Sequence, residues 1–531
     1  MGMSMSKTIQ LTGQDLKLAD VRRVAVRRQG GADVKVELAQ AARERVRASR
    51  RYIESRMSSG EAIYGVNTGF GAFSSVRISP SQIVELQKNL IRSHSVGVGE
   101  LFSREQARAI LLLRANALAR GHSGIRETVI DKLLEFLNHD LIPAIPQQGS
   151  VGASGDLAPL SHLALAVIGE GEVFDPADSE GRKVIPVTEA LARTGVKPLE
   201  LQAKEGLSMI NGCQVMTAVG LLAVYEARRL AKLVDLAGAM SLEAMKGSRS
   251  AFDPLIPATR PHAGEAMTAR NLKRILGETS PIAESHAGCG RVQDAYSLRC
   301  MPAVHGAAKD AIRRGLEVLE IEANSSTDNP LVFADEGKIL SCGNFHGEPV
   351  AFQLDFMAIA MAAMASISEC RIEKLINPAM SGLPAFLAPE GGLNSGHMIV
   401  QVAAAALVSE NKILSHPASV DSIPTSADKE DHVSMGTIAS RKFQSIVRNA
   451  ESILAMELLA ASQGLDLVRA DDGREVKSAG VIAQAHARIR QVVPFAQTDR
   501  VFQRDIEALR GLVRSGELLE LVENSVGELE C

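Results

Sequence analysis

The second half of this sequence is written for helices far longer than the roughly three to four turns usual in globular proteins. That feature constrains the fold more than any other. From Gly206 onward, apolar residues recur at helical spacing over 214–237, 303–323, 349–376, 398–414 and 436–464. Several of these segments are alanine-rich, as in "AIAMAAMASIS". Long helices with small side chains gain their stability by lying closely packed against one another. Upstream, "SREQARAILLLRANALARGHSG", "ETVIDKLLEFLNHDL" and "LSHLALAVIGEG" carry the same period, punctuated by Gly, Ser and Pro. One stretch, "EVFDPADSEGRKVIPV", reads as a small hairpin. Strands never alternate with helices over a sustained length, and no fixed-period repeat occurs. The expected class is all-α. A long central helical bundle (206–465) follows a mixed N-terminal region (1–205) and precedes a more charged helical C-terminal region (466–531).

Composition narrows the function. With 46% hydrophobic residues in 531, a large core is available. A net charge of −4 and only 3% aromatics argue against a nucleic-acid surface. The six cysteines never form C-x-x-C and no secretory leader is read, so reduced thiols in a cytoplasmic protein are expected. No apolar run is read as long enough for a membrane span. Metal-binding and phosphate-binding spacings are absent: there is no H-E-x-x-H, no Walker loop and no Cys–His zinc pattern. "GVNTGFG" lacks the Gly-Lys-Ser/Thr ending, and "GASGD" is not the G-x-S-x-G elbow. No metal is expected.

Polar residues in unusual settings are the remaining candidates. The chain has no Trp and four Tyr. Tyr64 opens the glycine-rich "YGVNTGFG", and Tyr296 lies in the polar run "RVQDAYSLRC". There Gln293, Tyr296 and Arg299 are three apart, which on a helix places them on one face; an arginine so placed can fork onto a carboxylate. A solvated polar face gives the same spacing. The segment "GSVGASGDLAPL" (149–160) crowds Ala153-Ser154-Gly155 against a helix start at Asp156. An ordinary capped turn accounts for it. So does a segment whose backbone reacts: attack of the Gly155 nitrogen on the Ala153 carbonyl closes an imidazolone, and loss of water from Ser154 leaves an electron-poor methylidene. Small residues suit that closure because nitrogen and carbonyl are unhindered.

The text around this segment resembles the aromatic amino-acid ammonia-lyase family. The resemblance runs in order through "IYGVNTGFG", "LIRSHSVGVGE", "IPAIPQQGS", "LSMINGCQ", "VQDAYSLRC", "DNPLVF", "GNFHGEPVA", "SGLPAFL", "ENKILSHPASVDSIPTSADKEDHVSMG" and "ELLAASQGLDL". It implies an L-aspartase-like fold. It also implies a 4-methylidene-imidazol-5-one (MIO) group formed from Ala153, Ser154 and Gly155, and a homotetramer with active sites shared between copies. By the same resemblance Tyr64 is the base for the substrate's β-proton, and His94, after Ser93, contacts the substrate ring. Asn211 lies near the prosthetic group and the substrate carboxylate. Gln293, Tyr296 and Arg299 are the polar trio, with Arg299 on the carboxylate and Tyr296 supporting the electrophile. Phe345 is a pocket aromatic. Glu430 matches the glutamate that faces an imidazole, where phenylalanine- and tyrosine-acting members usually carry glutamine. A carboxylate pairs with imidazole but is desolvated without compensation beside phenyl, so the implied reaction is deamination of L-histidine to urocanate. Glu430 also competes with Tyr64 for the role of base. The alternatives are a tyrosine or phenylalanine lyase, a 2,3-aminomutase, and a silent helical scaffold. Lys429, His397, Cys213 and Cys370 depart from the family's usual residues and bear on substrate preference.

Overall fold

The computed structural model describes residues 8–26, 34–59, 63–69, 71–73, 76–178, 180–470 and 473–531. The long helices form where their periodicity predicts: Gln214–Ala244, Met301–Ala323, Glu348–Ile376, Met398–Leu414 and Gly436–Leu467. Small residues allow close approach along them. A Cβ on Gly264 would stand 2.0 Å from the Gly306 carbonyl oxygen, so the 263–276 helix and the 301–323 helix touch backbone to backbone. Glu348–Ile376 corrects the expectation that no apolar run reaches membrane-spanning length. It is the one described helix with the length and composition to cross a bilayer, its 18-residue window having a mean hydropathy of 1.7, and half of that window is buried within the protein.

Strand is confined, among the described residues, to four two-stranded sheets. The hairpin read from "EVFDPADSEGRKVIPV" is present as Glu172–Phe174 paired antiparallel with Val184–Pro186. The pair Val98–Leu101 with Pro146–Gln148 matters more for the site, because it fixes the chain just before residue 149.

The chain divides into two compact units. The first comprises residues 1–222, 316–355 and 417–441; the second comprises 223–315, 356–416 and 442–531. Four of the five dividing points, at 222, 315, 355 and 441, fall inside helices, and the fifth, at 416, follows the Met398–Leu414 helix. In the first unit the Arg104–Ala119 helix is the central strut. Ser103 accepts from the Gln106 amide in a capping box that sets its start, and residues 106–119 are buried on every face. A core of Ile53, Ile63, Val66, Ile83, Ala203 and Val332 anchors the chain on both sides of Tyr64. In the second unit, the C-terminal helices Gly480–Val492, Phe502–Ser515 and Glu517–Val526 bury Ile482, Leu509, Leu518 and Val522.

Candidate active site

Ala153-Ser154-Gly155 lies in a bend with two left-handed glycines, Gly152 just before it at φ +70° and Gly155 at its end at φ +75°. Side chains are excluded at both: a Cβ on Gly155 would meet the Gly212 oxygen at 2.3 Å, and one on Gly152 would meet Ser434 Oγ at 2.3 Å. The Gly212 carbonyl accepts the Asp156 N–H at 2.8 Å, so the segment leans on the turn Asn211–Gly212. Asp156 begins the Leu157–Val167 helix, as expected, but its side chain does not cap that helix. Its carboxylate instead accepts the amides of Val215 and Met216, at the start of the Gln214–Ala244 helix, and the Thr437 hydroxyl. The stronger pull comes from another helix's free amides. Burial pushes the Asp156 carboxyl up to about 6 in spite of those donors. Glu322, half-buried against the Cys213 thiol, is pushed up to about 7 by desolvation, with the negative charge of Asp156 adding to it.

Ser154 points the other way. Its hydroxyl donates to Glu430 Oε1 at 2.8 Å, joining two residues 276 positions apart. The other carboxylate oxygen of Glu430 accepts from Thr425 Oγ1 at 2.8 Å and Ser426 Oγ at 2.9 Å. The turn that aims it runs through Ser426, Ala427 and Asp428, three consecutive left-handed residues at φ +52°, +54° and +61°. It is closed by hydrogen bonds between the backbones of Thr425 and Glu430. Left-handed backbone costs a non-glycine residue about 1–2 kcal/mol, and strain of this kind concentrates where a side chain must be held for function.

His94 ends the Ile83–His94 helix and faces Glu430 electrostatically. Its Nδ1 lies 2.8 Å from the Leu90 carbonyl, so Nδ1 carries the proton and Nε2 is the free acceptor. Burial lowers its pKa, which keeps the ring neutral. Tyr64 is half-buried, and its Oη accepts the Gly71 amide at 3.4 Å. Asn211 is buried, and its Oδ1 has no partner among the described residues. The half-buried Phe345 receives the Cys213 thiol on its carbonyl at 3.0 Å. The first unit thus contains the 153–155 segment, Tyr64, His94, Asn211, Phe345 and Glu430.

Gln293, Tyr296 and Arg299 belong to the second unit. Arg299 donates to Gln293 Oε1 at 3.1 Å and lies 4.5 Å over the Tyr296 ring, so the three are in contact. The shared helix face is corrected, however: only Tyr296–Arg299 is helical, and Gln293 precedes it in a loop. One turn ends there because Cys300 leaves helical geometry before the next helix begins at Met301. Of the departures, Cys213 is fully buried, Lys429 is exposed, and His397 is buried against Phe502 at 4.9 Å in the second unit. Burial lowers the His397 pKa to about 4. Asp156, Glu322, Arg114 and the Thr425–Ser426 clamp were not singled out as functional by the sequence. The available signal for Arg114 and Glu322 was a charge standing among apolar helical positions.

The helical bundle, with Ser154 facing a clamped carboxylate, is the frame of a carbon–nitrogen lyase, the class to which comparison with known proteins assigns it. The chain belongs to the aromatic amino acid lyase family, whose model matches residues 16–491. It is 53% identical to a histidine ammonia-lyase of Anaeromyxobacter sp. (strain K), over 96% of this chain and 99% of that one. Among solved structures it is similar to histidine ammonia-lyase from Trypanosoma cruzi, with a TM-score of 0.89 and 43% identity over 98% of this chain and 96% of that one. Tyrosine aminomutase from Streptomyces globisporus superposes equally well, with a TM-score of 0.90 and 37% identity over 98% of this chain and all of that one. Backbone similarity therefore does not choose the substrate; the side chains must.

Proposed function

We propose that this protein eliminates ammonia from L-histidine to give trans-urocanate, with an electrophile formed from its own Ala153-Ser154-Gly155. The observation that carries the reading is the Glu430 carboxylate, clamped by Thr425 and Ser426 and aimed at Ser154. The residues present suit an MIO group. Two side-chain-free glycines leave a cradle that a Cβ would fill, and the buried Asn211 Oδ1 has no described partner beside it. When formed, the group supplies an electron-poor alkene that makes the substrate amine a better leaving group.

The chain's own residues do the rest. Glu430 accepts an imidazole N–H of the substrate, and His94 offers Nε2 as a second acceptor because Nδ1–H is committed to Leu90. Phe345 packs on the substrate ring and Asn211 orients its carboxylate end. Tyr64 takes the β-proton at Oη, held by the anchored turn that begins at Ile63. Arg299 forks onto the carboxylate, with Gln293 holding the guanidinium and Tyr296 beneath it. The working form is a cytoplasmic homotetramer whose active sites draw on more than one copy. Exposed Ile359, Ile399, Val402 and Ile413 in the second unit supply apolar surface for such contacts.

Two measurements test the reading: urocanate appearance from L-histidine, compared with the products from tyrosine and phenylalanine, and the intact mass. Two lost waters remove about 36 Da from the encoded chain. Full encoded mass in active protein overturns the electrophile, and faster turnover of tyrosine overturns the substrate.

A further inference from the structure

Arg114 lies in the Arg104–Ala119 helix, amid "AILLLRANALA", and its guanidinium is fully buried. Nη1 donates to the Asn211 carbonyl at 2.8 Å and to Gln214 Oε1 at 2.6 Å. Gln214 passes the contact on, donating to Thr327 Oγ1 at 2.8 Å. Nε and Nη2 find no acceptor among the described residues. Burial pushes the guanidinium down to about 10, against the pull of Asp328, so it stays cationic at neutral pH. A buried cation with empty donors destabilises a core that leucine or methionine would fill without penalty. What it holds explains its presence. A Cβ on Gly212 would meet Arg114 Nη1 at 2.7 Å, with Gln214 Oε1 and Thr327 Oγ1 each at 2.5 Å. These side chains fill the floor beneath the turn. On that turn rest the Asn211 carboxamide and the Gly212 carbonyl, which fastens the Asp156 amide.

We propose that Arg114 is a positioning residue for the reaction: it pins the Asn211–Gly212 turn from below, and so sets where the Asn211 carboxamide stands relative to Ser154. The proposal rests on the reading of residues 153–155 given above. It assigns Arg114 no contact with substrate; the residue acts through Asn211.

A double-mutant cycle on the full chain tests this, using Arg114→Met, Arg114→Lys, Asn211→Ala and Arg114→Met/Asn211→Ala. Intact mass, kcat and KM for L-histidine, and thermal unfolding are measured for each. Arg114→Met is expected to lower kcat/KM by about 100-fold with a raised KM. Arg114→Lys keeps the charge and recovers to within about tenfold of wild type. Adding Arg114→Met to Asn211→Ala costs less than about threefold more, because residues acting through one another are not additive. Multiplied losses in the double variant, an Arg114→Lys no better than Arg114→Met, or an Arg114→Met within threefold of wild type each overturn the proposal. Should Arg114→Met fail to fold, Gln214→Leu replaces it in the cycle with the same expected non-additivity. The wild-type mass separates the two failures. A chain at full encoded mass defeats the functional reading, whereas a chain lighter by about 36 Da with multiplied losses defeats only this inference.

Discussion

Each unit buries a cluster of charges, and the two clusters are built on opposite principles. In the second unit's cluster around Asp235, Arg371 and Glu457 every charge is answered. Asp235 receives His305, Lys309 and Asn271, while Arg371 spans both oxygens of Glu457, which also accept Ser241 and Ser368. Burial alone would raise Asp235, but Lys309 and His305 outweigh it and hold the carboxyl low. In the first unit the charges beside residues 153–155 are left partly unanswered. Among the described residues Arg114 Nε and Nη2 and Asn211 Oδ1 have no partner, and burial raises the carboxyls of both Asp156 and Glu322, with the charge of Asp156 adding to the rise at Glu322. A satisfied network fixes a structure. An incomplete one keeps hydrogen-bonding and proton-holding capacity available, here beside the segment proposed to react.

The contrast breaks most visibly at Ser154. Ser154→Ala is expected to lower urocanate formation on the order of 10³-fold or more without moving the unfolding temperature, read by activity and thermal melts together. Arg371→Leu should do the reverse. Leaving Glu457 buried and unpaired costs about 3–5 kcal/mol, seen as a lowered denaturation midpoint, while purified folded protein keeps the mass deficit. If Arg371→Leu is as stable as wild type, the second cluster is not the structural one. Glu430→Gln comes next, with a loss of roughly 10- to 100-fold in kcat/KM for L-histidine, as expected for one charged hydrogen bond. The histidine-to-tyrosine preference should narrow, and an unchanged ratio removes Glu430 from substrate selection.

The smallest effects are opposite slopes with pH. Glu322 is raised from 4.5 to about 7 in the folded chain, so folding takes up a proton there and its stabilising neutral form is lost as pH rises through about 7. Relative to Glu322→Gln, the wild type should therefore lose stability on going from pH 4.5 to above 7. Burial lowers His305 below 6.5, so its favourable neutral state is lost on acidification. Relative to His305→Gln, the wild type should lose stability as pH falls below 6.5. Melting temperatures of the two pairs across that range show whether the slopes cross; parallel slopes erase the distinction between the clusters.

The long helices were legible because period and composition agree along tens of residues, and the hairpin at 172–186 because its turn residues sit between two β-rich runs. The family motifs are what singled out Ala153-Ser154-Gly155, Tyr64, His94 and Glu430, and the structure brings Ser154 and Glu430 together. Spacing failed where a helix proved shorter than its polar pattern, as at Gln293, whose bond to Arg299 is made from a loop. It failed again at Asp156, because the amides it serves lie 59 and 60 residues away. Arg114 was not singled out although it stands as a charge in an apolar run, since a side chain's partners on other segments leave no trace in local periodicity. The Thr425–Ser426 clamp was hidden for a different reason: left-handed geometry at Ser426 and Ala427 is imposed by closure of the turn and is not a preference of those residues.

That closure has an evolutionary corollary. In a loop wound left-handed over three successive positions, adding or deleting one residue would rotate everything beyond it and swing position 430 away from Ser154. On the role proposed for Glu430, new specificities in such a scaffold are reached by exchanging the side chain at 430 in a loop of constant length, so relatives that prefer other amino acids should differ here by identity and not by indel.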